Sequence, residues 1–107
     1  MKEKSEVIAK HYGFDAQSRQ CIEEMAELTK SLNKFWRKNL LCGQVNLTDN
    51  VLKALKQTPE YSSVLEEVAD VQIMIWQMES LLDLDINDMV DFKLTKTMER
   101  IEIECSN

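Results

Sequence analysis

Residues 61–82, with the sequence YSSVLEEVADVQIMIWQMESLL, decide the fold class of this chain. No Gly or Pro interrupts them, and their apolar side chains are spread around nearly the whole circumference of a helix. The pattern predicts a long helix, the fourth of the chain, that is buried on all sides. Because a chain of 107 residues cannot easily surround such a helix alone, we expect a homo-oligomer with this helix at its centre.

The remainder of the sequence also favours helices. The whole chain contains only two Gly and one Pro, whereas a sheet with tight hairpins needs more turn residues. We expect one all-α domain, residues 1–107, built as a helical bundle of about four to five helices. The other expected helices cover about 2–11, 16–38 with Asp15 as N-cap, a short segment between Thr48 or Asp49 and Pro59, and a last helix that follows a turn at 84–87 and reaches about Glu104.

Composition and charge exclude several classes of protein. A net charge of -6 argues against binding to DNA or RNA polymers, which requires clustered Lys and Arg. The three Cys are widely spaced and form no CxxC pair, so we expect reduced thiols and no zinc site. No apolar run approaches the roughly 20 residues of a membrane span, and the first ten residues, MKEKSEVIAK, are charged where a signal peptide would be apolar. We therefore expect a cytoplasmic protein without a membrane partner.

Two acidic clusters stand out, EEMAE at 23–27 on the second helix and EEVAD at 66–70 on the fourth. In each cluster, acids three residues apart lie on one helical face and can reach a shared ion. At about 100° per residue, Glu24 and Glu67 point in the same direction as the apolar stripes of their helices. The sequence therefore predicts carboxylates on two faces that pack against the core.

A carboxylate on an apolar face is costly unless it is paired, protonated or bound to a metal ion. No Lys or Arg lies within one turn on the buried side of either cluster. Carboxylate oxygens without His or Cys suit Mg²⁺, or Mn²⁺, better than zinc or copper. Ordinary solvated helix acids are the alternative interpretation, but two matching clusters on buried faces favour a metal site.

A basic flank on the last helix and one aromatic side chain complete the set of candidate residues. Lys93, Lys96 and Arg100 share one side of that helix, where they would bind phosphate oxygens or simply complement the helix dipole. Trp36 is turned away from the apolar stripe of the second helix and is a candidate for stacking on a nucleobase. Phe35, which lies on that stripe, is assigned to the core.

The two acidic clusters, followed by Lys93 and Arg100 on a final helix, resemble the EExxE...ExxD signature of the MazG-like all-α nucleoside triphosphate pyrophosphohydrolases. The resemblance covers about residues 17–101. It implies a dimer, or a tetramer built from dimers, that uses Mg²⁺ to hydrolyse a nucleoside triphosphate to the monophosphate and pyrophosphate. It also implies triphosphate contacts from Lys93 and Arg100. The metal ligands that it implies are Glu24, Glu27, Glu67 and Asp70.

The resemblance does not determine which residue is the general base or which nucleoside triphosphate is the substrate. Glu23, Glu24 or Glu27 would accept the proton of the attacking water. Some relatives carry Asn where this chain has Thr97, and the stretch between the two acidic clusters is long. The substrate is therefore not assigned, and a phosphoribosyl-ATP pyrophosphohydrolase shares the acidic pattern. We expect nucleotide housecleaning or pool control, and the alternative is a non-catalytic helical module that binds a nucleotide or a partner and keeps a Mg²⁺ site.

Overall fold

The computed structural model describes residues 1–106, and within that range the chain is all-helical, with no strand. The five helices are α1 (Lys2–Tyr12), α2 (Phe14–Lys38), α3 (Asp49–Leu55), α4 (Pro59–Leu81) and α5 (Asn87–Ser106). The predicted all-α class and the number of helices are confirmed. α5 ends at Ser106, two residues beyond the expected Glu104.

Threonine side chains define the starts of α3 and α4. Thr58 Oγ1 accepts a hydrogen bond from the backbone N–H of Tyr61 at 3.2 Å, and Thr48 caps α3 in the same way through Val51 at 3.4 Å. Pro59 occupies the first turn of α4, where its missing N–H costs nothing. We expected Pro59 only as the end of the preceding helix, so α4 starts two residues earlier than predicted.

The junction of α1 and α2 differs from the prediction. Gly13 has φ +86°, a conformation that Gly adopts without strain, and it separates the two helices directly. α2 therefore begins at Phe14, and Asp15 lies inside its first turn, where Oδ1 accepts a hydrogen bond from Arg19 at 3.2 Å. The predicted N-cap role of Asp15 is wrong, because the conformation of Gly13 places the helix start before it.

The long helices α2 and α4 run antiparallel and form the main contact of the fold, with α1 packed on α4. Few apolar side chains are buried between them, and several buried side chains are polar. The buried apolar residues are Ala9, Cys21, Leu55, Val71 and Met74, and the buried polar residues are Ser5, Gln17, Ser31 and Gln77.

One face of α4 is covered and the opposite face is not. Val71 and Met74 are buried, but Leu65 is 63% exposed, Val68 48% and Ile75 40%. Within the single chain α1 and α2 cover only one side of α4, so burial on all sides, which we expected in a homo-oligomer, stays a prediction.

Helix α5 projects away from the other helices. It has no buried residue and no substantial contact with another helix within residues 1–106. The radius of gyration is 17.5 Å, whereas a compact chain of this length has about 13 Å. The apolar side chains of α5, including Leu94 and Ile101, are consequently exposed.

None of the helices within residues 1–106 combines the length and apolar character needed to cross a membrane.

Candidate metal centre

The two acidic clusters meet where α2 and α4 pack together. One carboxylate oxygen each from Glu24, Glu67 and Asp70 lies within 4.8 Å of the others, and we call these residues the acidic trio. Glu24 and Glu67 are half-buried, while Asp70, one helical turn beyond Glu67, is exposed. The fold thus brings together three of the four residues that the resemblance implies as metal ligands.

Glu67 occupies the most unfavourable position in the acidic trio. Its Oε2 is buried and has no hydrogen-bond partner. The pKa of Glu67 is raised from 4.5, first by burial and then by the negative charges of Asp70, Glu24, Glu27 and Glu66. An ionised Glu67 therefore lacks the positive partner that a buried carboxylate normally has.

No basic side chain of the described residues neutralises the acidic trio. The two ion pairs within residues 1–106 lie elsewhere, at Met1 with Glu3 and at Arg19 with Asp15, and both are exposed. The negative charge at the α2–α4 contact is therefore uncompensated by the chain itself.

Glu24 is oriented by its own helix. Gln20, one turn earlier, donates a hydrogen bond from Nε2 to Glu24 Oε1 at 2.7 Å. This bond orients the side chain of Glu24, and its second oxygen accepts no hydrogen bond from residues 1–106. A metal ligand held by an outer hydrogen bond is the usual arrangement in protein metal sites.

The other predicted acids lie around the trio. Glu27 is exposed on α2 and outside the trio, but it is near enough to contribute to the raised pKa of Glu67. Glu23 is exposed beside Glu24 in sequence. Both face solvent, as a group that exchanges a proton with water must.

The basic flank is not brought to the acidic trio within one chain. Lys93, Lys96 and Arg100 line a groove of about 440 Å³ on α5 together with Phe92. Lys96 Nζ lies 5.5 Å above the centre of the Phe92 ring, in a cation–π contact. Because α5 does not pack on α2 or α4, these cations stay apart from the acids of their own chain.

Trp36 lies in an apolar depression of about 450 Å³ near the end of α2 and is 50% exposed. Twelve residues separate it from Glu24, which corresponds to about 18 Å along the helix axis. Phe35 packs edge-on against Tyr61, with ring centres 6.3 Å apart, but it is half-buried rather than part of the buried core to which it was assigned.

Two hydrogen-bonded pairs on either side of the acidic trio were not predicted, and we call them the flanking polar pairs. Gln17 Nε2 donates to Gln77 Oε1 at 2.6 Å, and the hydroxyls of Ser31 and Ser63 are 2.9 Å apart. Each pair joins α2 to α4. The repeat of polar residues at intervals of seven on both helices is the sequence signal that would have revealed them.

The donor set of the acidic trio suits a hard divalent cation. It offers only carboxylate oxygens, with no imidazole or thiolate, which is the chemistry of Mg²⁺ and Mn²⁺ sites. No family model matches the sequence, and neither a curated protein nor a solved structure matches it. The resemblance to the MazG-like enzymes consequently stays a prediction that depends on the motifs and on the geometry of the trio.

Proposed function

We propose that this protein is a Mg²⁺-dependent hydrolase that cleaves a nucleoside triphosphate into the monophosphate and pyrophosphate. The observation that carries the proposal is the buried, unpartnered Oε2 of Glu67, which lies among acids at the α2–α4 contact. A cation is the partner that removes this unfavourable charge. The order of the two acidic motifs along the chain supports the choice of reaction.

In this proposal some of the acids bind the ion and another accepts the proton of the attacking water. Glu24, Glu67 and Asp70 hold the ion, with Glu27 as the fourth ligand. Bound there, Mg²⁺ would bind phosphate oxygens and stabilise the negative charge that develops on them. Of the three candidate bases, Glu23 is exposed on α2 and is not among the ligands, so it is the one that takes the proton of the attacking water, whereas Glu24 and Glu27 bind the ion.

The nucleotide would be held by residues outside the acidic trio. Lys93, Lys96 and Arg100 supply cations for phosphate oxygens, and Trp36 supplies an exposed aromatic face for a base. Because α5 lies away from α2 and α4 of its own chain, we propose that these groups act within a homo-oligomer, a dimer or a tetramer.

The second copy is also what the exposed apolar surfaces require. Helices in proteins draw most of their stability from tertiary packing, and α5 has no helix packed against it within residues 1–106, so it needs a packing partner. The chain itself leaves apolar side chains uncovered on the side of α4 that faces away from α2, and it carries the acidic trio at the α2–α4 contact. The exposed apolar side chains of α5, including Leu94 and Ile101, could pack on that side of α4, and its basic flank has the charge opposite to that of the trio, which favours a second copy of this chain as the partner.

The test is to incubate the purified protein with canonical and modified ribo- and deoxyribonucleoside triphosphates, with Mg²⁺ or with EDTA, and to assay monophosphate and pyrophosphate. We expect release of pyrophosphate that requires Mg²⁺, with the panel ranking the substrates. Failure to release pyrophosphate from any triphosphate, with Mg²⁺ binding still measurable by calorimetry, would contradict catalysis and favour the non-catalytic binding module.

A further inference from the structure

The flanking polar pairs lie at a regular distance from the acidic trio. Polar side chains recur every seven residues on both helices, which corresponds to steps of about 10.5 Å. The trio is thus the middle of three polar contacts along the α2–α4 interface. The α2 members are Gln17, Glu24 and Ser31, and the α4 members are Ser63, Asp70 and Gln77.

The hydrogen bonds of the flanking polar pairs can form in only one register of α2 against α4. Gln77 is 2% exposed, and its amide oxygen is satisfied by Gln17. If α4 moved along α2 by one turn, this amide would be buried without a partner, which costs far more than the hydrogen bond gains. Ser31 is 8% exposed, and its hydroxyl would likewise lose its hydrogen-bond partner Ser63 if the register changed.

The acidic trio cannot maintain this register in the metal-free protein. Its carboxylate oxygens lie within 4.8 Å of one another, and like charges at that distance push α2 and α4 apart. The groups that oppose this separation include the two hydrogen-bonded pairs, because each of them joins the same two helices on one side of the trio.

We propose that Gln17–Gln77 and Ser31–Ser63 are positioning residues, which fix α2 against α4 in the one register where the acidic trio shares a cation. At about 10.5 Å from the trio they do not touch the ion. They act on the ion through the two helices. This inference rests on the metal centre of the proposed function.

The first experiment replaces the glutamine pair by Gln17→Met together with Gln77→Met. Methionine keeps the unbranched shape of glutamine but needs no hydrogen-bond partner. The Kd for Mg²⁺ alone is measured by calorimetry on the folded protein, and Tm is measured in parallel. We expect a Tm at least equal to that of the wild type and a Kd raised about tenfold. A pair that serves only stability would change Tm and leave this Kd unchanged.

The same measurement is then made on the double variant Ser31→Ala with Ser63→Ala, for which we again expect a raised Kd. Ser63→Thr keeps the hydroxyl and is expected to bind Mg²⁺ like the wild type. Ser5→Ala is the control. It removes a buried hydrogen bond to the carbonyl of Ile73 at 3.2 Å, but on the α1 side of α4, so Tm should fall while the Kd stays unchanged.

The outcomes separate this inference from the metal centre itself. A wild-type Kd in both double variants would overturn the positioning role and leave the metal centre intact. If the wild-type protein fails to bind Mg²⁺, the metal centre and the positioning role are both overturned.

Discussion

Glu67 is the side chain on which the proposed chemistry depends, and it should destabilise the metal-free protein. The pKa of Glu67 is raised by burial and by its acidic neighbours, so its ionised form is unfavourable in the fold. We expect Glu67→Gln to raise Tm at neutral pH in metal-free buffer, and Mg²⁺ to raise Tm only in the wild type. Glu79→Gln, the same change about 18 Å further along α4, should leave both properties as in the wild type.

The same pKa sets a pH dependence of stability. Below the ordinary value of 4.5, Glu67 is protonated in the folded and the unfolded chain, and it carries no charge that would destabilise the fold. As pH rises through the raised pKa, Glu67 ionises in the fold and the favourable contribution of its protonated form is lost. The difference in Tm between Glu67→Gln and the wild type should therefore widen from about pH 4 to about pH 7. A constant difference in thermal melts over this range would contradict the assignment.

The affinity for Mg²⁺ should rise with pH, whereas the contribution of Glu67 to stability in the metal-free protein falls. A proton and the cation compete for Glu67, and the raised pKa lets the proton compete at a higher pH than on an ordinary glutamate. We expect the Kd for Mg²⁺, measured by calorimetry, to rise steadily as pH is lowered from about 7 to about 5. An unchanged Kd across that interval would show that Glu67 is not a ligand.

Individual acids were predictable because their position on a helix could be compared with the apolar stripe. Glu24 and Glu67 were placed on core-facing sides from the sequence, and both are half-buried in the structure. Gln17 and Gln77 were not predicted, because glutamine is mostly a surface residue and its burial depends on which residue of the other helix it meets. The spacing of seven between polar residues on α2 and α4 marks the candidate positions, but which of them pair across the two helices is a tertiary property.

Helices were predictable in number and approximate extent, but their ends were not. Pro59 satisfies the rule for ending α3 and also the rule for opening α4. Asp15 was the expected N-cap of α2, but the backbone conformation of Gly13 places the start of the helix at Phe14, one residue before it. Rules based on local sequence identify candidate helix ends, and the packing of the helices determines which of these ends is used.

Leu40 ends α2 in a conformation that suits glycine. Its φ is +53°, and the backbone bonds of Leu40 to Arg37 and of Leu41 to Trp36 are those of a Schellman motif. Leu40 is 83% exposed, so its side chain contributes little packing. We expect Leu40→Gly to raise the free energy of unfolding by about 1 kcal/mol in urea melts. Leu40→Ala keeps the Cβ and should change it by less than about 0.5 kcal/mol; an equal gain in both variants would rule out backbone strain.

The apolar content of α4 indicated a surface that one chain cannot bury. The structure leaves part of α4 uncovered, and it leaves α5 without a buried residue, which the sequence had not indicated. It also showed what the sequence had missed, namely that the basic flank of α5 lies away from the acids of its own chain. The position of α5 depends on the short segment between Leu82 and Ile86, and no periodicity within either helix determines the path of that segment.

An oligomer built through α5 should be sensitive to charge on its apolar stripe. Leu94 is 61% exposed in the single chain, and Leu94→Glu would place an unpaired carboxylate in the proposed interface. We expect association to weaken about a hundredfold, seen as a lower mass in analytical ultracentrifugation. Thr95→Glu, turned about 100° around α5 from Leu94 and outside its apolar side, should retain the mass of the wild type. A wild-type protein that is monomeric at high concentration would contradict the oligomer.

The measurement that tests the central claim most directly is ³¹P NMR of a reaction containing Mg²⁺ and the triphosphate that the substrate panel ranks first. Wild-type protein, Glu67→Gln and Glu79→Gln are compared at equal concentration. We predict monophosphate and pyrophosphate as the only products, at equal rates for the wild type and Glu79→Gln and at a rate lower by at least about a hundredfold for Glu67→Gln. Release of inorganic phosphate and a diphosphate, or an undiminished rate in Glu67→Gln, would contradict the proposed reaction at the acidic trio.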